Sequence, residues 1–206
     1  MTTNILSKLP SVLVDTNFLD ADDHARMLEE ALASEDEYEP SLIGHYDDGL
    51  ENSGGRVNET VRQSAARRLP QELARIFKAR VLRDADKIAE RIGVAFPEEQ
   101  KFELEAVRSG DGDFFATHYD TNRGPLTSRR VISAVYYYCK TPRRFSGGGL
   151  RLYSLDQSTS MTVEPNDNTV VIFPSMFPHE VLPVSLPSDT FEDGRFSVNC
   201  WIHKLV

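Results

Sequence analysis

The sequence runs to 206 residues, 40% hydrophobic and 27% charged, a length and balance that suit one water-soluble domain with two packed layers. Its 23 basic and 32 acidic residues leave a net charge of −9 without a basic cluster, so a nucleic-acid backbone is not an expected partner. Residues 1–10 lack the charged start and apolar run of a secretory leader, no stretch is long enough to span a bilayer, and Cys139 and Cys200 lie in separate apolar runs; a cytoplasmic protein with two buried free thiols is expected.

In chain order, residues 11–14 read as a short strand. Asp20 or Asp22 can cap the helix that follows, in which Ala21, Ala25, Leu28, Ala31 and Leu32 recur at helical spacing. The acidic stretch 34–40 ends it. Residues 41–60 place Gly44, Gly49, Gly54 and Gly55 around His45, Tyr46, Asp47 and Asp48, a turn-rich segment expected to form a flap. Pro70 opens the best helix of the chain, at the position where a missing N–H is no loss. Leu73, Ile76, Phe77, Ala85, Ile88, Ala89 and Ile92 supply its apolar face, and Gly93 closes it.

After Pro97 the character changes. Residues 102–107 alternate as a half-buried strand, and 108–113 read as a hairpin turn into a strand that carries His118. Residues 131–139 are β-prone, Gly147, Gly148 and Gly149 precede a strand over 150–153, and residues 169–173 form a short apolar strand ending at Pro174. Residues 179–184 and 195–202 complete the set. Helices first and closely spaced strands afterwards predict a mainly β fold, a sandwich or barrel buttressed on one side by N-terminal helices.

Chemistry concentrates around residues 114–122. His118 and Asp120 are one residue apart, so on an extended segment both side chains share a face. An imidazole and a carboxylate side by side suit a borderline first-row metal, and a second histidine would complete the two-His, one-carboxylate set of non-haem Fe(II) oxygenases. His179 follows a strand and a Pro-bounded turn. It is preferred for that place over His24, His45 and His203, because a metal site needs ligands on rigid strands. Arg195 opens a strand on which Arg195, Ser197, Asn199 and Trp201 share one face and Phe196, Val198 and Cys200 the other. Inside a β core such an arginine requires an anion, for which a dicarboxylate is suited; at a strand end facing solvent it requires nothing.

Taken together and in order, His118-x-Asp120, His179 and Arg195 opening a strand that reaches Trp201 resemble the Fe(II)- and 2-oxoglutarate-dependent dioxygenases of the prolyl 4-hydroxylase type. The same order is kept by residues 108–120, the tyrosine-bearing stretch 130–138, the segment Gly148-Gly149-Leu150-Arg151 and the segment around Phe177-Pro178-His179-Glu180-Val181; the resemblance covers residues 102–204. It implies a double-stranded β-helix, or jelly roll, within a single domain 1–206. Residues 1–100 would be helical support and substrate-side flap, and 101–206 the catalytic core. It implies His118, Asp120 and His179 as ligands of Fe(II), and Arg195 as the partner of the 2-oxoglutarate C5 carboxylate. Tyr137 would assist, with Tyr136 as its rival; Asn199 would bond the cosubstrate or a water, and Val181 and Leu150 would wall the pocket. O2 is the second cosubstrate and ascorbate a further candidate. The reaction implied is hydroxylation of an unactivated C–H with succinate and CO2 as coproducts, the substrate a prolyl residue in a peptide or protein. Halogenating relatives lack the carboxylate that Asp120 supplies. Alternatives are a hydroxylase of a free amino acid or other small molecule, and a non-catalytic jelly-roll domain with a vestigial metal site. Arg195 comes sixteen positions after His179, more than the family usually shows, and Pro183, Pro187, Ser188, Asp189 and Gly194 suggest an inserted loop. Residues 44–59 and 121–128 are candidate lids. Arg56, Arg62 and Arg123 read as solvated surface charges, with peptide contact as the alternative.

Overall fold

The computed structural model describes residues 5–43, 55–121, 127–188 and 190–205. Strand β1 (Leu13–Thr16) leads into α1 (Ala21–Ala33), and three short strands follow: β2 (Glu39–Pro40), β3 (Arg62–Gln63) and β4 (Ala65–Arg68). Helices α2 (Gln71–Arg83) and α3 (Ala85–Ile92) come next. The remainder is strand and connection: β5 (Gln100–Ser109), β6 (Phe114–His118), β7 (Arg130–Tyr138), β8 (Ser146–Gly147) and β9 (Leu150–Tyr153). Then come β10 (Ser160–Val163), β11 (Thr169–Pro174), β12 (His179–Val181), β13 (Val184–Ser185) and β14 (Arg195–Lys204).

The strands form a seven-stranded antiparallel sheet in the order β1-β11-β7-β14-β5-β4-β2, a five-stranded one in the order β10-β9-β12-β6-β3, and a β13-β8 pair. Period-two alternation sorts the side chains of the larger sheet onto two faces. Ala134, Tyr136 and Tyr138 of β7 and Phe196, Val198, Cys200 and Ile202 of β14 pack with Phe18, Met27, Phe77, Val81 and Ile88 in a core beneath the helices. Tyr137, Val171 and Phe173 face the other way and pack with Leu150 and Leu152 of the smaller sheet. Both faces of β11 are therefore covered, which is why its sequence is a continuous apolar run. This is the double-stranded β-helix, with helices on one outer face. Cys139 and Cys200 are free and buried.

Three expectations are corrected. The helix from Pro70 to Gly93 is broken at Asp84, whose φ of −103° and ψ of 15° leave the helical region and whose N–H bonds the Val81 carbonyl three residues back. Its carboxylate pairs with Arg80 before the break and Lys87 after it. Pro70 stands at the N-cap rather than inside the first turn, while Gly93 closes α3 at φ +71° as anticipated. The turn after β5 is not a hairpin: β5 pairs with β14 and β4, whereas β6 pairs with β12 and β3. Residues 110–113 form a corner between sheets, made possible by Gly112 at φ +76° and tied to β13 by Gly112 N–H to Val184 O and Val184 N–H to Asp113 O. Finally, the N-terminal hundred residues contribute more than helices, a flap and the expected strand β1, since β2, β3 and β4 also extend the sheets. Residues 44–54 of the expected flap and 122–126 of the expected second lid, with His45 and Arg123, lie outside the described residues.

Candidate metal centre and adjoining cavity

His118 ends β6, His179 begins β12, and the two are direct cross-strand partners with ring centroids 4.2 Å apart. Asp120 lies two residues beyond β6, in a bend rather than on the strand, so simple alternation is not what brings it to the histidines. Its Oδ1 is 3.5 Å from His118 Nε2 and its Oδ2 is 3.4 Å from His179 Nε2. Each imidazole donates its Nδ1 proton to the carbonyl two residues earlier, His118 to Ala116 at 2.9 Å and His179 to Phe177 at 3.0 Å. A carbonyl can only accept, so in the neutral form of each ring Nε2 is a lone pair facing the carboxylate.

The carboxylate is oriented in turn: Ser133 Oγ donates to Asp120 Oδ2 at 2.6 Å and lies 2.8 Å from Ser175 Oγ. Burial alone would raise the Asp120 carboxyl, but His179, His118 and the Ser133 hydroxyl outweigh it and hold the group well below the usual carboxylate range. Burial pushes His179 down to about 4, against the opposing pull of Asp120. The result is an ionised carboxylate with two imidazoles, His179 held neutral, their ligand atoms all within 4.8 Å of one another. Two nitrogens and one oxygen, with outer hydrogen bonds already made, fit a divalent first-row metal. Among the described residues no other such cluster occurs. His24 is instead bonded to Tyr136 and Asp167, and His203 to Glu103.

Beside this centre is a narrow cleft between the sheets, lined among others by Phe115, Val181, Val135, Val107, Asn199 and Arg195. Phe115 joins the two features, because its ring also stacks on His118. Arg195 is only 3% exposed. Its Nη2 donates to Ser109 Oγ at 2.9 Å and its guanidinium sits 5.3 Å over the Tyr137 ring, while Nε and Nη1 have no partner. The Tyr137 hydroxyl and Ser197 Oγ are likewise buried and unpartnered. Burial pushes the Tyr137 phenol up to about 12, against the opposing influence of Arg195, so it remains a hydrogen-bond donor. A buried cation among idle donors is unfavourable until an anion arrives. Gly148 makes room for the arginine: at φ +69°, a Cβ there would stand 2.8 Å from Arg195 Cδ and 2.9 Å from Val184 Cγ2.

The two tyrosines separate by alternation. Tyr137 lies against Arg195, whereas Tyr136 faces the helices and is bonded to His24 and Asn168. Asn199 and Val181 line the cleft; Leu150 packs with Tyr137 in the core between the sheets and is not among the lining residues. Arg62 corrects the surface-charge reading. It is 6% exposed, pairs with Glu105 at 2.8 Å and covers the Phe115 ring at 5.1 Å. Arg56 is exposed, as expected. The alternation that sets Tyr137 on one face of its strand places Ser133 there too, and alternation along β14 places Ser197 with Arg195; no such signal marks Ser175 or Ser109.

Residues 104–203 match the family model described as the 2OG-Fe(II) oxygenase superfamily. A PKHD-type hydroxylase of Synechocystis sp. is 29% identical over 199 residues, 91% of this chain and 61% of that protein, so the chain spans about three fifths of this relative's length. A hypoxia-inducible factor prolyl hydroxylase of Caenorhabditis elegans is 31% identical over 99 residues, 47% of this chain and 12% of the other. Among solved structures, a Pseudomonas putida prolyl-4-hydroxylase superposes with a TM-score of 0.69 at 24% identity, covering 96% of this chain and 94% of its own. A prolyl hydroxylase from Trichoplax adhaerens, in complex with a hypoxia inducible factor peptide fragment, gives 0.72 at 16% identity, covering 95% and 84%. The jelly roll and the His-Asp-His cluster agree with these likenesses: over residues 104–203 the chain is similar to the 2OG-Fe(II) oxygenase superfamily, and its fold is like that of the solved prolyl 4-hydroxylases.

Proposed function

We propose that this chain is an Fe(II)- and 2-oxoglutarate-dependent dioxygenase that hydroxylates a prolyl residue in a peptide or protein. One observation carries the reading: a His-Asp-His cluster, two of its members buried and His118 half-buried, adjoins a cleft where a buried arginine lacks partners for two nitrogens. Bound at the cluster, Fe(II) with O2 and 2-oxoglutarate would supply the chemistry: decarboxylation to succinate and CO2, coupled to hydroxylation of an unactivated C–H.

The chain's own residues do the rest. His118, Asp120 and His179 hold the metal, and Ser133 keeps the carboxylate oriented. Arg195 grips the distal carboxylate of 2-oxoglutarate through its free nitrogens, and the hydroxyls of Tyr137 and Ser197 donate alongside it. Asn199 and Val181 shape the wall, and Phe115 and Val135 keep it apolar and exclude water. Idle buried donors argue against a vestigial site, because a chain without an anionic ligand would gain stability by losing them. The prolyl and peptide assignment is supported by the named activities of the curated relative from C. elegans and of the P. putida structure, and by the peptide complex from T. adhaerens. Ascorbate as a reductant and a cytoplasmic setting belong to the same proposal. No helix among the described residues is long and apolar enough to cross a membrane.

The test is succinate release from 2-oxoglutarate with Fe(II) and ascorbate, joined to mass spectrometry of cell peptides for oxygen addition at proline. Both should appear with the unaltered protein and disappear with His118→Ala or Asp120→Ala. Oxygen addition confined to small molecules would sink the prolyl assignment, and succinate release indifferent to both substitutions would sink the metal site.

A further inference from the structure

The pairing of β12 with β6 is irregular at one point. His179 faces His118 and Val181 faces Phe115, so Glu180 alone stands opposite both Ala116 and Thr117. This extra residue is a β-bulge in β6, and two features of the metal centre depend on it. The bulge carries Ala116, whose carbonyl accepts the His118 Nδ1 proton at 2.9 Å. It also brings Phe115 onto the His118 side, ring centroids 3.6 Å apart and planes within 16°; regular alternation would send side chains three residues apart to opposite faces.

The Glu180 side chain braces the same spot. Its Oε1 accepts from the Tyr153 hydroxyl at 2.6 Å and from Arg151 Nη1 at 3.1 Å, both on β9, where Arg151 is its direct cross-strand partner. Its Oε2 accepts from Thr117 Oγ1 at 3.2 Å, on the bulge itself. One carboxylate thus straps β9, β12 and the bulged part of β6 together. At 19% side-chain exposure it is only partly open to competition from water.

We infer that Glu180 is a positioning residue of the metal centre, which sets the ring orientation and Nδ1–H tautomer of His118 by clamping the bulge. The inference rests on the reading of His118, Asp120 and His179 as metal ligands. Glu180 acts through Thr117 and the strand backbone. It explains why a carboxylate directly follows a ligand histidine without being needed as a ligand.

Co(II) is the probe, followed through its visible absorption band, and long-range 15N–1H NMR reads the His118 tautomer in metal-free protein at pH 8. Glu180→Ala should weaken Co(II) binding about 10- to 100-fold, the usual loss when a ligand's outer support is removed, shift the band, and let His118 populate its Nε2–H form. Glu180→Gln, which keeps an acceptor for Tyr153, should recover most of this. Thr117→Val, a change at an exposed position, should give a smaller effect of the same sign and carries the test if Glu180→Ala does not fold. Variants that lower only the melting temperature, with band, affinity and tautomer unchanged, overturn the inference. Failure of the unaltered protein to bind Co(II) overturns the metal-site reading itself and this inference with it, a result distinct from silent variants.

Discussion

A guanidinium with 3% exposure and two unpartnered nitrogens holds its place only if its usual state includes an anion. Arg195→Ala should therefore abolish 2-oxoglutarate binding in calorimetry while leaving Co(II) affinity within a few-fold; equal losses of both would make the arginine structural. Tyr137→Phe removes one donor to a charged group, about 1.5–3 kcal/mol, or roughly 10- to 150-fold in Kd. The sign of its pH dependence also follows. Ionisation would replace a donor by a negative charge beside the bound carboxylate and weaken binding as pH rises. With the phenol pushed up to about 12, this decline should be absent from pH 7 to 10 in the unaltered protein. A decline over that range that vanishes in Tyr137→Phe would show the phenol ionising there and refute the argument. At this scale legibility followed residue chemistry. His118, Asp120, His179 and Arg195 are few enough in type and ordered enough to be read. Ser133 and Ser109 are not, because a serine acquires a role only from what folding sets beside it. The burial of Arg62 is not legible because its ion-pair partner, Glu105, is 43 residues away.

Among the elements, alternation marked the strands that have one buried face, and the apolar run marked β11. Five of the short strands, β2, β3, β4, β8 and β13, carry no pattern of their own and exist through pairing alone. The corner after β5 reads as a hairpin in the sequence because Gly110 and Gly112 permit either, and only the partners of β6 decide. Two substitutions test how elements support the site. Gly148→Ala combines a strained φ of +69° with a Cβ 2.8 Å from Arg195 Cδ, so it should weaken 2-oxoglutarate binding more than Co(II) binding. Affinity left intact would mean that the arginine shaft moves aside freely. On the helix side, the Phe77 ring is fully buried, 5.6 Å from Phe18 and 5.9 Å from Tyr136. Phe77→Ala should destabilise the fold by about 3–5 kcal/mol in urea unfolding. Co(II) affinity of the folded variant should be kept, since His118 and His179 hang from the smaller sheet and Asp120 from the bend beyond β6, away from the helices.

At the scale of the whole molecule, the ligand sets divide between the sheets. His118 and His179 belong to the five-stranded sheet, Arg195 and Tyr137 to the seven-stranded one, and Asp120 is bonded to Ser133 of β7. Metal would therefore lock the smaller sheet to the bend carrying Asp120, and 2-oxoglutarate would bridge the gap between the sheets. Each should stabilise the folded chain separately. A ligand present at 100 times its Kd adds about 2.7 kcal/mol, which for a chain of this size raises Tm by roughly 5 to 10 °C. Calorimetric scans with Co(II) alone, and with Co(II) and 2-oxoglutarate, should thus show two successive increments. Arg195→Ala should keep the first and lose the second. His118→Ala should lose the first and, because the cosubstrate would then be held at its distal end alone, most of the second. The two increments are a property of the assembled sheets, since neither sheet carries both the histidines and the arginine. A full second increment in Arg195→Ala would mean that 2-oxoglutarate binds elsewhere, and the bridging of the two sheets would fail with it.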